Sequence, residues 1–161
     1  MNVLNFEPAE NMGGVCRIFA IPPTSFVRLW TDHVNRINYL TVRNREDIID
    51  IYSIEEETIF NEEAESGIYV VSLTGITPGG RGKINANMIN SLEKLDSGYW
   101  YVLCQDNNGY IRFLGTKDNM LTFKRSSTTG KLGDRNQIAF EFTGKQLCEA
   151  YYIQLDDIES I

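Results

Sequence analysis

Apolar residues alternate with polar ones over short stretches along most of this chain, and the clearest alternation lies in its C-terminal half. QIAFEF, from Gln137 to Phe142, sets Ile138, Phe140 and Phe142 against Ala139 and Glu141, the period of two expected of a strand with one buried face. MLTFK (Met120 to Lys124), SGYWYVLCQ before Asp106, YIRFL after Gly109, and GIYVVSLTGI (Gly67 to Ile76) read the same way, the last being rich in β-branched and aromatic residues. VCRIFAI, Val15 to Ile21, predicts a strand stopped by Pro22-Pro23, while NYLTV, DIIDIY and ETIF are short strand candidates. Two stretches carry helical spacing instead. Ile84, Met88, Leu92 and Leu95 predict a helix over about 84–96, with Gly98 placed to end it. Phe26, Leu29, Trp30 and Val34, behind a capping Ser25, predict a short helix over about 25–36. The fold class expected is a β-rich α+β single domain over 1–161, an antiparallel β-sandwich or barrel, with a flexible N-terminal arm at 1–14 and a mobile loop at 126–136.

DNNGYIRFLGTKDN, Asp106 to Asn119, joins two of these strands. It is not a calcium loop: that motif needs oxygen ligands at alternate positions and a Glu six residues beyond the glycine, where this chain has Gly115. Asn108-Gly109 between apolar stretches predicts a two-residue type I′ hairpin. Its register pairs Asn107 with Tyr110, Cys104 with Phe113 and Val102 with Gly115. Trp100, Val102, Cys104, Ile111 and Phe113 then share a core face, and Leu103 and Leu114 pair on a wetter one.

Charge adds a partition. The net charge of −7 disfavours sequence-specific nucleic-acid binding, which draws on a basic surface. Between Glu46 and Glu65 lie nine acids, among them Glu55, Glu56, Glu57, Glu62 and Glu63, and no Lys or Arg. From Arg112 to Arg135 six basic residues, including Lys124, Arg125 and Lys131, stand against two acids. Two patches of opposite sign suit a contact between copies, with Leu103 and Leu114 supplying apolar area.

The chemistry-bearing residues do not assemble into a catalytic motif. TGITPGGRGKI (Thr74 to Ile84) places six residues between Gly75 and Gly82 and an Ile where a P-loop needs a hydroxyl. His33, the only histidine, adjoins Asp32, but no G-x-S-x-G elbow supplies a nucleophile and one His with scattered cysteines makes no zinc site. Cys16, Cys104 and Cys148 read as free core thiols. No cofactor, metal or catalytic residue is expected. The N-terminus lacks the basic start and apolar core of a secretory signal, and no apolar run is long enough to cross a bilayer, so no membrane partner is expected.

The order SLTGITPG, a helix, SGYWYVLCQDNNGYIRFLGTKDNMLTF, a TTG loop, GDRNQIAFEFTGKQ and AYYI resembles small structural proteins of the tail region of phages and prophages of gut bacteria, over about Gly67 to Ile153. Gln137 stands where that group often has a glycine after "DRN". The resemblance implies a non-enzymatic β-sandwich or barrel subunit that polymerises as a tail-tube or connector ring. Its partners would be itself and other virion tail proteins, and it would be assembled in the host cytoplasm and reside in the virion tail. The alternative is a monomeric module binding a small ligand or carbohydrate through its aromatic residues, Tyr99, Trp100, Tyr101, Tyr151 and Tyr152.

Overall fold

The computed structural model describes residues 14–35, 37–78, 86–128 and 137–154. Their elements are β1 (Val15–Ile21), β2 (Phe26–Asp32), β3 (Ile37–Val42), β4 (Ile49–Ile51), β5 (Ile59–Glu65), β6 (Ile68–Pro78), α1 (Ala86–Asp96), β7 (Tyr99–Asp106), β8 (Ile111–Leu114), β9 (Leu121–Thr128), β10 (Gln137–Gln146) and β11 (Tyr151–Ile153). The chain is thus β-rich α+β, with its strands in one sheet that does not close into a barrel. Strand order along the sheet is β2-β3-β11-β8-β7-β9-β10-β6-β5, with β1 bridging β7 and β4. The sheet is mixed, because β3 and β11 run parallel through the single pair Ile153 and Asn38.

The strand β7 has three neighbours, and they divide the sheet into two halves. Tyr99 and Trp100 pair with β9, while the residues after them pair with β1 on one side and β8 on the other. The half containing β4-β1-β7-β8 packs on the half containing β9-β10-β6-β5. Ile18, Val71, Val102, Leu121 and Phe142, all fully buried, meet between them, and Leu95 closes the core from α1. A second core lies on the opposite face of β1-β7-β8, where the sheet curls through β11 and β3 to bring the β2–β3 hairpin over it. Here Phe26 stacks on Tyr101 at 4.4 Å and on Phe113 at 5.7 Å between ring centroids. Strands buried on both faces carry apolar side chains at consecutive positions, which is why YVLC in β7 is apolar without interruption.

Three expectations need correction. The helix over 25–36 is a strand. A β-bulge between Phe26 and Arg28 slips the alternation by one, so Phe26 and Leu29, three apart, both point into the second core and imitate helical spacing. Trp30 faces the other way, against Tyr39 at 4.5 Å, and Val34 is in the turn, 90 % exposed.

The hairpin loop has three residues rather than two. Asn107, Asn108 and Gly109 lie between Asp106 and Tyr110, whose backbones bond directly (3.0 Å), and only Gly109 among them has positive φ, +84°. The cause is Asp106, whose Oδ1 accepts from the N–H groups of Asn108 and Tyr110, both at 2.9 Å, and thereby fixes the chain in an Asx-type loop. The register moves by one: Leu103 pairs with Phe113 and Val102 with Leu114. Leu103 and Leu114 therefore face different cores, each fully buried, and neither offers exposed area. Finally, Ser126–Thr128, expected to begin a mobile loop, are the last three residues of β9, paired to Gln137–Ala139. The remainder of that loop and the N-terminal arm before Gly14 lie outside the described residues.

Candidate functional site

The acidic stretch folds into a turn at Arg45–Asp47, the short β4, a second turn at Glu55–Glu57, and β5. Glu56 and Glu57 are exposed. Glu62 turns inward, and its Oε2 accepts from the backbone N–H of Ala150 at 2.7 Å, so it secures the approach to β11. Glu63 points outward on the same edge strand and takes a bond from the Asn61 side chain at 3.0 Å.

The basic residues are less available than their number suggests. Arg112 meets Asp106 Oδ2 at 3.0 Å and donates to the Tyr152 hydroxyl at 3.1 Å, with its guanidinium between the rings of Phe60 and Tyr152, 5.3 and 4.9 Å from their centres. Arg125 grips both carboxylate oxygens of Asp96 on α1, through Nε and Nη2, at 2.7–3.0 Å. Lys124 is exposed on the outer sheet face, across from Glu141 in the β9–β10 register. Lys131 and Arg135 lie outside the described residues, as does the glycine-rich stretch 79–85. Two of the three described cations named for an intersubunit contact, Arg112 and Arg125, are thus neutralised within the chain.

The sequence-level candidates for chemistry are occupied structurally. Asp32 does not orient His33: its carboxylate accepts from the Asn35 side chain and from the N–H groups of Val34 and Asn35. These bonds, led by the Asn35 side chain, hold it below the ordinary carboxylate range. Burial pushes the Cys104 thiol up to about 12, which leaves it uncharged and unreactive. Cys16 donates to the Gln105 carbonyl at 3.4 Å and Cys148 to the Tyr151 hydroxyl at 3.4 Å. Among the described residues no three His, Cys, Asp or Glu side chains converge as metal ligands.

Among the described residues a cleft, a groove and the open strand edges remain. An apolar cleft of about 400 Å³ opens between α1, β4 and β10, lined by Ile49, Ile51, Leu92, Phe123, Ile138 and Phe140, with Asp50 and Tyr52 also on its wall. A shallower groove of about 310 Å³ lies where β3 and β11 part, walled by Asn38, Tyr110, Tyr152 and Gln154 over a floor of Ile111 and Ile153. Sequence reasoning missed both, since each is built from side chains on strands remote in the chain, joined only by the curl of the sheet. Among the described residues β2 and β5, the two ends of the strand order, pair on one side only, as does the three-residue β4 beside β1. The two ends differ in charge: β5 carries Glu62, Glu63 and Glu65, whereas β2 sets Arg28 against Asp32, without net charge, and exposes Val27 and Trp30. Comparison with protein-family models, with curated proteins and with solved structures finds no match to this chain.

Proposed function

We propose that this chain is a non-enzymatic structural subunit of a phage or prophage-derived tail, assembling head to tail into a ring or tube such as a tail-tube or connector. The observation that carries the reading is the pair of unlike open edges. An unpaired edge strand presents a row of N–H and C=O groups that a second chain can complete. A β5–β5 contact would bring the acids Glu62, Glu63 and Glu65 of two copies onto one seam, so it is disfavoured. A β5–β2 contact instead sets the acidic strand against one without net charge, where Arg28 can pair with an acid, and a contact between different patches propagates into rings or filaments. The bulge in β2 confines the pairable length to Arg28–Asp32. Exposed ion pairs are worth only about 0–1 kcal/mol each, so backbone pairing and the exposed Val27, Trp30 and Ile59 must supply most of the affinity. The phrases GDRNQIAFEFTGK and DNNGYIRFLGTKDN, similar to those of tail-region proteins, support the same reading.

Size-exclusion chromatography with light scattering, followed by negative-stain imaging, tests it. Glu63→Lys with Glu65→Lys should slow assembly, Arg28→Glu should do likewise, and the three changes together should restore part of the rate. A wild-type protein that stays monomeric at high concentration and low salt, with the products of neighbouring genes supplied, would refute the proposal. A monomeric ligand-binding module is then the second reading, favoured by the two cavities.

A further inference from the structure

We infer that the groove between β3, β8 and β11 is a saccharide-binding site, formed by the Tyr110 and Tyr152 rings and the Asn38 and Gln154 amides. The inference does not depend on assembly, because every group in it comes from one chain.

Tyr110 and Tyr152 are 60 % and 53 % exposed. Tyr152 is held from one side by the Arg112 guanidinium, 4.9 Å from its centre, which also donates to its hydroxyl, and Arg112 is in turn anchored on Asp106. Tyr110 is held through its backbone, which bonds to both the main chain and the side chain of Asp106. The rings meet edge to face, with centroids 6.1 Å apart and planes at 80°. One acidic side chain thus anchors the backbone that carries one ring and the guanidinium that holds the other, which sets part of the site before any ligand arrives.

The groove exists because β3 and β11 pair only once, at Ile153 and Asn38, and then diverge. Asn38 bridges the gap: its amide donates to the Tyr152 carbonyl at 2.8 Å and accepts from Thr31 Oγ1 at 2.7 Å. An amide group has two donors and an oxygen with two lone pairs, so Asn38 keeps capacity for a ligand hydroxyl, in an orientation fixed by the protein. Gln154, exposed at the opposite rim, adds a second amide.

This combination selects a class of ligand. An aliphatic molecule would leave the amides unpaired, and an ionised ligand would meet a guanidinium already committed to Asp106. A pyranose has faces of C–H bonds that pack on aromatic rings and equatorial hydroxyls that both donate and accept, which matches rings at a corner with amides at the rim. A volume of about 310 Å³ accommodates one or two sugar rings.

The test titrates the isotope-labelled full chain with glucose, galactose, mannose, N-acetylglucosamine and cellobiose, following backbone amides by NMR and the oligomeric state by light scattering in the same samples. At least one sugar should shift residues 109–111 and 152–154 in a saturable way. Tyr110→Ala should weaken that binding about three- to tenfold, the loss of one ring contact, with the melting temperature unchanged. No saturable shift with any of these sugars, or shifts centred on Leu92 and Phe140 in the apolar cleft, would overturn the inference. The light-scattering record bears on assembly alone.

Discussion

Gly75 lies in the middle of β6, where a glycine normally weakens a strand, and the structure explains its presence by one contact. A Cβ built there would sit 2.6 Å from Cζ and 3.0 Å from Cε1 of Phe140, and 3.1 Å from Thr58 Oγ1. Phe140 is opposite Gly75 in the β6–β10 register and lies flat over it, 5 % exposed, beside Phe123 and Phe142. Two effects of opposite sign then bear on Gly75→Ala. Removing a glycine from a strand stabilises by roughly 0.5–1 kcal/mol through the unfolded chain. Overpacking a full core costs about 1–3 kcal/mol, and carbon atoms at 2.6 Å cannot coexist without the ring moving. The clash wins, although Phe140 also borders the apolar cleft and its ring can yield in that direction, which places the net cost near the lower end, about 1 kcal/mol. Urea unfolding of four proteins measures it: wild type, Gly75→Ala, Phe140→Leu and the double variant. With the ring gone the 3.1 Å contact with Thr58 Oγ1 remains and needs only a small shift, so Gly75→Ala in the Phe140→Leu background should stabilise, by less than about 1 kcal/mol. A Gly75→Ala protein as stable as the wild type, or the same sign of change in both backgrounds, would refute the steric explanation.

Gly109→Val isolates backbone strain, since nothing lies within 4 Å of a Cβ there while φ is +84°; it should cost about 1–3 kcal/mol, and an unchanged melting temperature would sink the three-residue loop. Cys104, its thiol pushed up to about 12 by burial, should resist alkylation in the native state at pH 8 and react once urea unfolds the chain, whereas rapid labelling of the native protein would contradict its placement in the core.

How far the sequence could be read depended on what each residue faces. β6, β10 and the β7–β8 pair were legible because turn residues bound them and branched or aromatic side chains fill them. Even there, the register turned on a single carboxylate, Asp106, whose preference for two backbone N–H groups the Asn-Gly pattern does not encode. β2 was illegible as a strand because its bulge gives the apolar positions a spacing of three. β5 was hidden for a different reason: an edge strand with one face in water has few apolar residues to announce it, and Glu62 faces inward to bond a backbone group. The aromatic groove depends on the meeting of β3, β8 and β11, and on Arg112 being held by Asp106, neither of which has a local signature.

The strand order also dictates when the fold can form during synthesis. β1 leaves the ribosome early, but its long partner is β7: the Cys16 thiol bonds the carbonyl of Gln105, 89 positions along the chain. At the usual speed of translation that interval is on the order of 5–20 s, during which the described strand that pairs with β1 is the three-residue β4. Ile18, Ala20 and Ile21, all fully buried in the finished protein, lack the cover of β7 for that time. The β2–β3 hairpin waits nearly as long, since the aromatic rings it covers, Tyr101 and Phe113, follow it by a somewhat shorter stretch of chain. A polypeptide made at high level in this state is exposed to sticking edge to edge with its neighbours on the same message, so slowing translation before β7 should harm its yield more than slowing it afterwards.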